Sequence, residues 1–76
     1  MTAGQRWRRR RNLLIFATAR TPFSGRLLAE VFDLSRSRVL EIEGELAEES
    51  GIPVIAGTAQ LRMRWVEDRL RKPGAR

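Results

Sequence analysis

The chain lacks cysteine, histidine and tyrosine altogether, and Lys72 is the lone lysine among its 15 cationic residues. Without cysteine there is no disulfide, and without cysteine and histidine the common zinc sites are excluded. The side chain that most often moves protons near neutral pH is also missing. No glycine-rich phosphate loop, metal-ligand spacing or nucleophile–base pair stands out, and Ser24 and Ser35 read as helix caps. No catalytic residue, metal or cofactor is therefore assigned, and an enzyme is not expected. Long apolar runs are absent too. Leu13 to Ala17 is the best of them, preceded by Arg6 to Arg11 and followed by Ala17-Thr18-Ala19, an order that looks like a signal peptide. At five residues it falls short of the ~7–15 of such a segment and the ~20 of a membrane span. It reads instead as a helix of a cytoplasmic domain.

What is present is positive charge on a short chain. At 76 residues the protein buries about 60% of the surface its unfolded form exposes, so it rests on a small apolar core or on self-association. The formal net charge is +6, carried almost wholly by arginine, and it points to a polyanionic partner. Arginine's planar fork pairs with phosphate and with guanine edges in a way lysine does not. A GC-rich coding sequence accounts equally well for arginine over lysine, though less well for the net charge.

The pattern predicts a basic arm over residues 1–11, a domain over 12–72 and a tail over 73–76. Met1 to Gln5 reads as frayed. A first helix runs from Arg6 to about Arg20, with Leu13, Leu14, Phe16 and Ala17 on one face. It stops before Pro22, which disfavours helical backbone at Thr21. Ser24 caps a second helix with the stripe Leu27, Leu28, Val31 and Phe32. Asp33-Leu34 is a turn with Leu34 inward. Ser35 caps a third helix that reaches Ser50, buries Val39, Ile42 and Leu46, and ends at Gly51. Gly44 in its middle suggests a bend or a close approach of another backbone. Pro53 to Ala56 reads as a short strand and Gly57 to Ala59 as a turn. Gln60 to Trp65 alternates, with Leu61, Met63 and Trp65 facing in and Arg62 and Arg64 facing out, as a second strand would.

Helix, helix, turn, helix, hairpin resembles the small winged helix-turn-helix domains of the biotin-repressor type and related bacterial and phage regulators. The residues that carry the likeness are Ser24-Gly25, Leu28-Ala29-Glu30, Leu34-Ser35-Arg36-Ser37, Val39, Leu46, Gly51-Ile52, Gly57 and Leu61. The likeness covers roughly residues 12 to 64 and implies an α+β winged-helix fold that binds double-stranded DNA, as a transcriptional or recombination regulator. In that arrangement the first turns of the third helix meet the bases. Ser35, Arg36, Ser37, Arg38 and Leu40 lie there, Arg26 clamps the backbone, and Arg62 and Arg64 are the wing's contacts. Arg8, Arg9, Arg10 and Arg11 are either an arm along the DNA or a solvated tail.

Other readings remain open at this level. Glu41, Glu43, Glu45, Glu48 and Glu49 make the far half of the third helix acidic, which repels phosphate unless it points away. A module binding a protein partner through Leu40, Glu41 and Glu45 is the alternative, and homodimerisation is compatible with either. RNA binding through the arginine arm is a third possibility, although few aromatics are available to stack on bases.

Overall fold

The computed structural model describes residues 2–19 and 25–71. They form four helices, α1 (Ala3–Thr18), α2 (Gly25–Phe32), α3 (Arg36–Ser50) and α4 (Ala59–Arg71). No strand occurs among the described residues. The α+β winged helix is thus corrected to an all-helical fold, because the segment expected to be the wing's second strand lies inside α4. Ala59, Gln60, Leu61, Arg62, Met63 and Arg64 are all good helix formers, and none is β-branched. Over the full helix the inward residues are Arg62, Trp65, Val66 and Leu70, a spacing of i, i+3, i+4 and i+8. Leu61 and Met63, expected inside, are exposed, while Arg62, expected outside, is fully buried. Pro53 to Gly57 is a run of bends and turns rather than a strand.

The first helix begins earlier than the charge pattern suggests. The Gln5 backbone N–H donates to Thr2 Oγ1 at 3.1 Å while the Thr2 N–H donates to Gln5 Oε1 at 2.9 Å, a reciprocal capping box. Two orphan donors are satisfied, so the segment that reads as frayed is instead a helix start. The arginines from Arg6 to Arg11 are helical and continuous with the core-bearing half of α1. The connector Thr21–Phe23 and the expected cap Ser24 lie outside the described residues.

The core is built from Leu13, Ile15 and Phe16 of α1, Leu28 and Ala29 of α2, Val39, Ile42 and Leu46 of α3, Val54, and Val66 of α4. Each large aliphatic or aromatic side chain so buried contributes about 1.5–3 kcal/mol. Phe16 meets Trp65 edge-on with ring centroids 5.8 Å apart, which joins α1 to α4. Of the expected α2 stripe, Leu28 is buried and Phe32 packs against the core. Leu27 and Val31 are 63% and 66% exposed. The inward face of α2 is Gly25, Leu28, Ala29 and Phe32, at i, i+3, i+4 and i+7, which leaves Leu27 and Val31 to its side. Gly44 shows no close approach: a Cβ there would meet nothing within 4 Å.

Candidate nucleic-acid interface

The turn between α2 and α3 is set by backbone chemistry. Asp33 has φ +56°, in the left-handed region, and the Leu34 N–H donates to Ala29 O at 2.9 Å. With the longer Asp33 N–H to Glu30 O bond of 3.4 Å, this closes α2 in a Schellman-type end. Leu34 then packs against the core and fixes the direction of the chain into α3. Ser35 adopts extended backbone, and its Oγ accepts from the Arg38 N–H at 3.1 Å. The hydroxyl proton stays available to donate elsewhere. Gly51 ends α3 with φ +76° and donates its N–H to Ala47 O at 2.8 Å.

This geometry exposes the start of α3. Arg36 and Ser37 are exposed, Arg38 is partly so, and Leu40 is 48% exposed. Val39 lies between them at 0%, holding the turn to the core. A Cβ on Gly25 would come within 3.9 Å of Val39 and 4.0 Å of Leu40, so α2 seats closely on this end of α3. Arg26, next in sequence, is exposed beside it. Arg38 pairs with Glu41 at 3.3 Å and lies 3.8 Å from Glu45, which partly neutralises the acids just beyond the arginines.

Two charged residues sit where the sequence does not announce them. Arg62, expected on the solvent face of a wing, is instead 0% exposed. Its Nε donates to Phe16 O at 3.2 Å, its Nη2 to Ala19 O, and its Nη1 to Thr58 Oγ1 and to Pro53 O at 3.4 Å. The guanidinium thereby satisfies carbonyls at the end of α1 and ties them to the loop before α4. Glu43 is 3% exposed, and its Oε2 has no hydrogen-bond partner among the described residues. Burial raises the Glu43 carboxyl's pKa, and the nearby Arg62 charge lowers it by less. Burial likewise lowers the Arg62 pKa, against the pull of Glu43. Glu43 shares the buried stripe of Val39, Ile42 and Leu46 at i, i+3, i+4 and i+7, the signal that would have found it.

The other expected contacts separate into two groups. Arg64 is exposed on α4, about 200° around the helix from buried Arg62 and so on the side away from α1. The α1 arginines lie elsewhere. Arg9 makes a two-pronged pair with Glu49 at 2.6 and 2.9 Å, placing the first half of α1 against the end of α3. This pairing raises the Arg9 pKa and lowers that of Glu49. Arg11 bonds Asn12 Oδ1 and lies 5.5 Å over the Trp7 ring. Arg8 and Arg10 are exposed and have no ionic partner among the described residues. Glu49 lies thirteen positions after Arg36 along α3, about 20 Å at ~1.5 Å per residue. Arg8 to Arg11 therefore do not join Arg36 and Arg38 in one patch.

Beside the acidic half of α3 runs an open apolar groove of about 250 Å³, lined by Leu40, Glu43, Gly44, Ala47, Pro53 and Val54. Among the described residues no helix is long and apolar enough to cross a membrane. The chain matches no protein-family model, no curated protein and no solved structure.

Proposed function

We propose that the protein binds double-stranded DNA through the helix-turn-helix formed by α2 and α3, with the first turns of α3 entering the major groove. The observation that carries this reading is the capped start of α3, with Arg36 and Ser37 exposed, Arg38 partly exposed, and exposed Arg26 next to the Gly25 that seats on Val39 and Leu40. Its N–H groups and the positive end of its dipole favour phosphate, and arginine forks suit phosphate or guanine. The net charge of +6 supplies the long-range attraction. The acids follow in order along the helix, so docking by its N-terminal end keeps Glu45, Glu48 and Glu49 away from the duplex. This reading needs no wing, and it drops Arg62 from the contact set.

The test is a titration with duplex DNA at several salt concentrations, comparing wild type with R36A/R38A. The expected slope of log K against log[salt] flattens by about one to two units in the double variant. An unchanged slope and affinity would remove α3 from the interface.

A second reading, docking of a protein partner, has one observation in its favour: the apolar groove beside Leu40 with exposed Glu41 and Glu45 nearby. Wild-type protein that ignores duplex DNA at low salt would favour it.

A further inference from the structure

The first two turns of α1 carry a charged surface that the α3 reading leaves unused. Thr2 to Arg8 are all exposed, and Arg10 is exposed beyond them. Arg6, Arg8 and Arg10 have no carboxylate partner among the described residues, whereas Arg9 is taken by Glu49. The capping box starts the helix at Ala3, so these arginines stand on a formed helix rather than a frayed tail. The Arg9–Glu49 pair also fixes where they stand, beside the last turn of α3. That end is about 20 Å from Arg36, a separation comparable to the thickness of the molecule in its narrowest direction, 17 Å.

From this placement we infer that the start of α1 is a second phosphate-binding surface that holds a separate DNA duplex, so that one molecule bridges two duplex segments. The inference rests on the α3 reading. If α3 docks by its N-terminal end, its axis points into the first duplex and its far end points out of it. The α1 arginines, sitting at that far end, then stand on the side of the protein away from the first duplex. Arg6 and Arg10 share one side of α1 at i and i+4, with Arg8 around the helix from them. Exposed guanidinium groups so placed suit a phosphate backbone, and nothing among them is arranged to read base edges. The site is thus expected to be indifferent to sequence and strongly salt-dependent.

A capture experiment tests this. One short duplex is immobilised and loaded with protein, and a second, labelled duplex of different sequence is then supplied in solution. Wild type is expected to retain the labelled duplex at low salt. R6A/R8A/R10A is expected to lose at most a few-fold of its affinity for the first duplex, through its lower net charge, while capture of the second falls roughly tenfold or more. R6K/R8K/R10K is expected to restore capture, because a backbone contact needs charge rather than the fork. These positions are exposed, and equal helix content by circular dichroism confirms that the variants fold.

Bridging that survives in R6A/R8A/R10A would overturn the proposal, because the second duplex would then sit on another copy's α3. Absence of bridging by the wild type, with weaker binding of the first duplex in R6A/R8A/R10A, would also overturn it by placing α1 on the same duplex. R36A/R38A separates the two readings. If that variant still bridges like wild type, the α3 placement fails while the α1 surface stands. If it binds one duplex only, both stand.

Discussion

Arg62 donates five hydrogen bonds within the fold. It is buried, and its donors are spent on the carbonyls of Phe16 and Ala19 and on the loop before α4. It also lies over the Phe16 ring, 5.9 Å from the centroid. R62A leaves those carbonyls without a donor and opens a cavity, and it is expected to cost about 3 kcal/mol or more. For a chain of this size that lowers the unfolding midpoint by more than ~10 °C in a thermal melt. R62K keeps the charge but not the fork and should recover less than half of the loss. A melt of R62A within a few degrees of wild type would show that Arg62 does not hold α1 to α4. Its neighbour Glu43 has the opposite sign of effect. Burial raises its folded-state pKa above the unfolded value, so the stability this group contributes is present at low pH and lost as pH rises through the folded pKa. E43Q should therefore unfold at higher urea than wild type at pH 7. The difference should vanish in acid, below the ordinary carboxylate pKa of about 4.3. Lower stability of E43Q at pH 7 would mean that attraction to Arg62 outweighs the cost of burial.

Among the elements, α3 was the most legible in the sequence and α4 the least, for physical reasons. The limits of α3 are decided locally. Ser35 and Gly51 each act within one turn, and Val39, Ile42 and Leu46 repeat at the helical period. In α4 the apolar residues Leu61, Met63 and Trp65 fit a strand over five positions. The fact that chooses the helical period is the burial of Arg62, whose bond to Phe16 spans 46 residues. No local pattern announces that a charged residue will be the inward one. Glu43 differs, because its register with Val39, Ile42 and Leu46 does mark it as inward, and only the acids around it mask that signal. Of the candidate site, the α3 arginines were legible because a capped helix start exposes its first turn. Their separation from the α1 arginines was not, because it depends on how α1 packs on α3. Two substitutions in α3 check the element by itself. S35A removes the cap and should cost about 1 kcal/mol. G44A, where an added Cβ meets nothing within 4 Å, should gain up to about 1 kcal/mol. Urea unfolding measures both, and a loss from G44A would mean that α3 is not a regular helix at that point.

At the scale of the whole molecule, charge is distributed by position. Exposed arginines mark the start of α3 and the start of α1, at opposite ends of α3, while Glu45 and Glu48 lie exposed along the helix between them. That order gives the protein two cationic ends and makes the first of them the place where a duplex is expected to dock. Amide chemical-shift mapping with one equivalent of a short duplex locates that place directly. The largest changes are expected at Arg26 and from Ser35 to Leu40, with those of Arg62 and the α4 core unmoved. Changes centred on Glu45 to Ser50, or on Arg6 to Arg10 with none from Ser35 to Leu40, would contradict docking by the start of α3.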